Sequence, residues 1–193
     1  MKNKNNKFWI IFAILIFAIL FILVIKNNMT IPDPIINNDL EKAPKTSDLV
    51  INMKAARLQK LPQEGSVTHN HGHIDLIING ESIDIPEGIG IGSNFISPIH
   101  THDEANILHV ESPYRKNYTL GQFFTEWGVT LDNNCVANYC TDDNNKLLVY
   151  TNGKQITDPE KYILKQYDEI EIWYGNKNDT PEVISSFDFP SDL

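Results

Sequence analysis

The sequence predicts an α+β protein: an N-terminal transmembrane helix followed by one β-rich extracytoplasmic domain. Three observations carry that reading. Phe8–Ile25, "FWIIFAILIFAILFILVI", is unbroken apolar sequence without charge, Pro or Gly. Two Asn-Gly pairs, Asn79-Gly80 and Asn152-Gly153, each sit between alternating apolar runs. All six histidines of the 193 residues fall between His69 and His109.

As a helix, Phe8–Ile25 is roughly 27 Å long, enough to cross the hydrocarbon core of a bilayer. Lys2, Lys4 and Lys7 precede it and Lys26 alone follows closely. That imbalance predicts a cytoplasmic N-terminus (1–7), a membrane anchor (8–25) and everything later outside, a single-pass cell-membrane protein. A cleaved signal peptide is the competing reading. Its apolar region is about 7–15 residues and ends at a small-x-small site, and "KNNMTIPDP" offers no such site. After Lys26, 12 basic residues stand against 25 acidic ones, a net of −13. Such a surface repels phosphate backbones and argues against a nucleic-acid partner.

Residues 26–65 read as a stalk, rich in Asn, Pro and Asp and without sustained period; "LVINMKAARLQKL" is a short-helix candidate within it. Residues 66–175 form the domain. It opens with a hairpin around Asn79-Gly80, "HIDLIING-ESIDIP", because Asn-Gly supplies the two positive φ values of a tight turn. "NILHVESP" is a second strand. In "TLGQFFTEWGV", Leu120, Phe123, Phe124 and Trp127 follow i, i+3, i+4, i+7 spacing, with Thr119 as N-cap and Gly128 as stop. That stripe is core. "KLLVYTNGKQI" repeats the hairpin signature, and "YDEIEIWYG" is a final strand of period two. Residues 176–193 form an acidic tail, expected to be loosely held, with Phe187 and Phe189 its large anchors. Cys135 and Cys140 suit a disulfide closing a short loop in an oxidising compartment; a thiolate ligand pair is the sharper alternative. Asn28, Asn117 and Asn178 begin N-x-T sequons. "GIGIGS" has no following Lys or helix start, so it is no phosphate loop, and no G-x-S-x-G elbow is present.

From Asn106 onward the order strand, turn, strand, helix, hairpin, strand resembles the β-grasp arrangement of ubiquitin-like sulfur carriers, most closely in "YILKQYDEIEIWYG". The resemblance implies a β-grasp-like fold over about 70 residues, with an added N-terminal β-hairpin. A sulfur carrier ends in Gly-Gly, whereas this chain runs on to "PSDL", so no sulfur chemistry is implied. In its motifs the chain also resembles a family of uncharacterised membrane-anchored archaeal and actinobacterial proteins. The shared pattern is His-x-His-x-His (His69–His73), "HTHD" (His100–Asp103), "HVESP" (His109–Pro113), "TLGQFF" followed by "WG" (Thr119–Gly128) and "NGK" (Asn152–Lys154). It covers most of the domain and implies no activity.

On a strand, residues i, i+2 and i+4 share a face. His69, His71 and His73 therefore project together, with Asp75 beyond them, while Ile74, Leu76 and Ile78 face the other side. His100 and His102 pair by the same rule, and His109 and Glu111 lie opposite Leu108 and Val110. Three segments thus each present imidazoles opposite their apolar residues. Imidazole is a preferred nitrogen ligand of zinc, copper, iron and nickel, so His69, His71, His73, His100, His102 and His109 are candidate ligands of one transition-metal ion, copper or zinc. Asp103 and Glu111 are candidates to ligate or to orient a ligand histidine. The plainer alternative is a hydrogen-bonded or pH-sensing histidine cluster. "HTHD" lacks the glutamate of a cupin at Ala105 or Asn106.

These residues imply a tethered metal-binding module, a carrier or accessory factor serving another membrane or extracytoplasmic protein, since tethering raises effective concentration. A structural or interaction domain, with a stapling metal or none, is the first alternative. A small histidine-ligated metalloenzyme is the second.

Overall fold

The structure, a computed structural model, describes residues 11–18, 21, 31–102 and 106–191. Two compact units divide the chain after Pro32. In the first, residues 11–18 are helical and expose Ile11, Ile14, Leu15 and Phe17. No helix among the described residues is long and apolar enough to cross a membrane. This corrects the expected anchor at Phe8–Ile25. With it go the single-pass localisation and the extracytoplasmic placement of the domain, which rested on that anchor. Apart from Phe21, the other residues of the stretch lie outside the described residues, as do Lys2, Lys4, Lys7, Lys26 and Asn28.

The second unit, from Asp33 onward, is α+β with a mixed seven-stranded sheet. In chain order it contains α1 (Thr46–Ala55), β1 (Thr68–Ile78), β2 (Glu81–Ile83), β3 (Ile99–His100), β4 (Ile107–Ser112) and α2 (Leu120–Trp127). There follow β5 (Cys135–Val136), β6 (Tyr139–Cys140), β7 (Asn145–Thr151), β8 (Lys154–Ile156), a 3-10 turn at Pro159–Lys161 and β9 (Asp168–Asn176). The strand order is β3-β4-β1-β9-β7-β8, with β2 continuing the β4 edge of β1; β5 and β6 form a separate hairpin. β1 and β9 run parallel, and the other pairs are antiparallel. The expected addition of a hairpin to a C-terminal β-grasp-like unit is therefore corrected. β1 is not an appendage but an interior strand, with β4 and β2 along one side and β9 along the other, and its alternate residues Ile74, Leu76 and Ile78 are buried in the core.

Both hairpins turn where Asn-Gly places them. Asn79 and Gly80 have φ of 53° and 85°, Asn152 and Gly153 of 50° and 76°, the pair of left-handed residues that matches strand twist. α2 starts in a capping box between Thr119 and Gln122 and ends at Gly128, φ 84°. Its stripe of Leu120, Phe123, Phe124 and Trp127 is fully buried on the core face of the sheet, with Leu108, Val110, Val149, Ile170 and Ile172. Each large side chain so buried contributes roughly 1.5–3 kcal/mol.

The stretch read as a stalk folds into this unit from Asp33 on. α1 buries Leu49 and Met53, and Asn52 accepts from the Ile35 amide (2.6 Å) and donates to the Ile35 carbonyl (3.0 Å). Leu61 exchanges two backbone hydrogen bonds with Ile96, each 2.9 Å. Hydrogen bonding rather than period holds this segment, and a polar composition does not reveal it. The tail also packs on the unit: Ile184 donates to Glu171 (2.8 Å) and Phe187 stacks on His73.

Candidate metal centre

Strand register assembles the polar face of the sheet. His71 pairs with His109 across β1 and β4, and His109 pairs with His100 across β4 and β3. Three imidazoles thus form a row over three strands, opposite the apolar core. Ring centroids lie 4.9 Å apart for His71 and His109, and 5.3 Å for His100 and His109. His102, just past β3, stacks on His109 at 4.0 Å. One same-face step along β1, His69 pairs with Glu111.

The chemistry of this row is set by what its nitrogens lack. His71 Nδ1, His100 Nε2 and His109 Nδ1 are buried and have no hydrogen-bond partner among the described residues. A buried polar atom left unpaired costs about 1–3 kcal/mol, so three in one cluster call for a common partner. His100 shows which. Its Nδ1 lies 3.0 Å from the Ser97 carbonyl, an acceptor, so Nδ1 carries the proton and Nε2 keeps its lone pair. That is the arrangement that orients a ligand histidine.

His100, His102 and His109 can each place one nitrogen within 4.8 Å of the others, a group able to hold a metal ion. Glu64 Oε1 lies 3.5 Å from His100 Nε2 and 3.8 Å from His102 Nε2. Ligands at 2.0–2.1 Å around a tetrahedral ion are ~3.3–3.4 Å apart, so these separations close with shifts of a few tenths of an ångström. A second group, His69, His71 and Glu111, adjoins the first, and Glu64, His100 and Glu111 overlap both. Glu111 Oε1 is the hub: it lies 3.1 Å from His69 Nε2, 3.6 Å from His71 Nε2 and 3.6 Å from His109 Nδ1.

Burial lowers His100 to about 4, the nearby His109 adding to the effect. Burial also lowers His71, aided by His109 and His69. For Glu111, burial pushes upward, but the neighbouring imidazoles of His109, His100 and His69 outweigh it and take the carboxyl to about 2. At neutral pH His71 and His100 therefore offer unprotonated imidazoles beside the ionised Glu111 carboxylate, the protonation state a cation requires. Buried His100 and His109 form the floor of the cluster, while the side chains of His102 (28 % exposed) and Glu64 (51 %) form a rim open to water.

The six histidines do not form one group. His73 leaves the row: its Nδ1 lies 3.0 Å from Glu169 Oε2 and 3.6 Å from Asp75 Oδ2. The parallel partner β9 brings Glu169 opposite His73, a pairing that face alternation along one strand does not contain. Asp103 lies outside the described residues. Glu64 is a functional candidate that sequence reasoning passed over, since "LPQEGS" shows no period. Its position comes from the Leu61–Ile96 bridge and from Gly65, where a Cβ would collide with the Ser112–Pro113 backbone. Glu169 and Glu171 were also passed over, although period two in "DEIEIW" puts both on the polar face. Cys135 and Cys140 are joined by a disulfide, S–S 2.08 Å, and supply no thiolate ligand. No family model matches the chain, and no curated protein or solved structure matches it either.

Proposed function

We propose that the domain is a metal-binding module that holds one copper or zinc ion at His100, His102 and His109, with Glu64 as the solvent-facing ligand. The observation that carries this reading is the buried, unpartnered His100 Nε2, its tautomer set by Ser97, converging with two further imidazoles and a carboxylate. Glu111 orients His109 and supplies negative charge beside the ion. A floor of buried imidazoles gives affinity, and an exposed rim lets an incoming ligand displace Glu64. That combination suits a carrier or accessory protein, which gives its ion to an acceptor by stepwise ligand exchange.

A stapling role is the second reading. It is favoured by the origin of the ligands, because the ion would tie the loop at Glu64 to the β3–β4 edge. The test is the metal content of the full chain purified without chelator, with melting temperature before and after chelation. About one equivalent of copper or zinc, lost in His100→Ala, is the expected result. At a free-metal concentration near 100 Kd the ion stabilises the fold by about 2.7 kcal/mol. A carrier keeps its fold on chelation, whereas a staple unfolds. No bound metal, together with no shift on adding copper or zinc, removes both readings.

A further inference from the structure

A second constellation occupies the same face of the sheet, one same-face step beyond His71. His73 and Asp75 on β1 lie opposite Glu169 and Glu171 on the parallel strand β9. His73 Nδ1 is 3.0 Å from Glu169 Oε2 and 3.6 Å from Asp75 Oδ2, and these three side chains can each place one ligand atom within 4.8 Å of the others. Glu169 and Glu171 are buried (1 % and 0 % exposed), and each keeps one carboxylate oxygen, Oε1, without a hydrogen-bond partner among the described residues. Among the described residues, no lysine or arginine forms an ion pair with Asp75, Glu169 or Glu171. Three carboxylates thus share a largely dry site with one imidazole.

From this geometry we infer a second, separate site for a divalent cation, held by His73, Asp75, Glu169 and Glu171. Its donors differ from those of the histidine row. Three carboxylates with one imidazole suit a harder, six-coordinate ion such as Mn2+, whereas the row suits copper or zinc. Adjacent ligands of an octahedral ion with bonds near 2.1 Å are ~3.0 Å apart, the separation between His73 and Glu169. A divalent ion fills the open positions on both glutamates.

The C-terminal tail closes the site. Ile184 donates its amide to Glu171 Oε2 at 2.8 Å, and the Phe187 ring lies flat on the His73 imidazole, centroids 3.8 Å apart at 4°. Phe187 in turn meets Phe189, which packs on Tyr167. An ion beneath this strap exchanges slowly, in contrast to one at the open rim of Glu64.

The experiment is a titration of the full chain with MnCl2, following free Mn2+ by electron paramagnetic resonance. One Mn2+ per chain is expected, with a Kd well below about a millimolar. Binding persists in His100→Ala and weakens about 10–100-fold in Glu169→Gln and in Asp75→Asn; Asp75, its side chain 20 % exposed, is the variant least able to disturb folding. Phe187→Ala is expected to speed Mn2+ release. No Mn2+ binding, or binding unchanged in both carboxylate variants, overturns the inference and leaves a proton shared among the carboxylates. Zinc or copper content in the same proteins separates the two sites. A Glu169→Gln chain that keeps its zinc while losing Mn2+ supports both, and a wild-type chain that takes only Mn2+ supports this site alone.

Discussion

The two faces of the central sheet obey different physics. On one, Ile74, Leu76, Leu108, Val110, Ile170 and Ile172 meet the aromatic stripe of α2 and the buried side of α1. On the other, the same strands present His69, His71, His73, Asp75, His109, Glu111, Glu169 and Glu171. The first face is satisfied by contact alone. The second buries nitrogens and oxygens that the protein itself does not satisfy. Stability is built on one side of each strand and binding capacity on the other.

Substitutions on the two faces should therefore fail differently. The largest effect belongs to the apolar face: Phe123→Ala is expected to cost about 3–5 kcal/mol. Urea unfolding should show the loss equally with and without chelator. A loss that depended on metal would erase the distinction between faces. On the polar face, Glu111→Gln should cut metal affinity about 10–100-fold, as removal of an orienting carboxylate does elsewhere. The metal-free fold should change little, and calorimetric titration with zinc paired with chelator-treated melting checks both halves.

A group bordering the two faces sharpens the contrast through pH. Glu126 sits in α2, wholly buried, accepting from Ser97 Oγ at 2.6 Å with its other oxygen unpaired. Burial holds its pKa well above the usual carboxylate value of 4.5, against the smaller pull of Ser97. The folded state thus binds this proton more tightly than the unfolded chain does. Its contribution to stability is present in full below pH 4.5 and is lost as pH rises through the raised value. Glu126→Gln should flatten that decline; denaturant midpoints across the pH range decide. The smallest effect is at the helix start, where Thr119→Ala removes the capping box and should cost ~1 kcal/mol with no change in metal affinity.

What could be read in advance follows the same divide. The apolar face was legible because burial imprints a period: 3.6 in Leu120–Trp127 and two in "DLII" and "EIEIW". The turns were legible because few residues other than Asn-Gly accept two left-handed positions in succession. The histidine row was half legible. Alternation placed His71, His100 and His109 opposite their apolar neighbours, but strand pairing decides who meets whom. It joined His73 to Glu169 rather than to His71's row. Glu64 was illegible, since a loop that approaches by a backbone bridge and a glycine contact leaves no pattern. The segment 33–65 was misread for a related reason. Asn, Pro and Asp are abundant in linkers, yet Asn52 and Asn38 here clamp backbone groups, Asn38 accepting from the Thr130 amide at 2.8 Å. The membrane span was read from hydropathy alone, and no described helix is long enough to carry it.

The parallel pairing of β1 with β9 joins the opening strand of the sheet to its closing one, with Gly72 beside Asp168. Contacts so distant along the chain are slow to form, and synthesis proceeds from the N-terminus. While the ribosome is still making residues 110–167, every histidine has already been made and the strand that flanks His73 has not. During that interval all six imidazoles exist without the strand pairing that sorts them into separate groups. The separation of His73 from the other histidines is thus acquired late, when Asp168–Asn176 docks and brings Glu169 beside it.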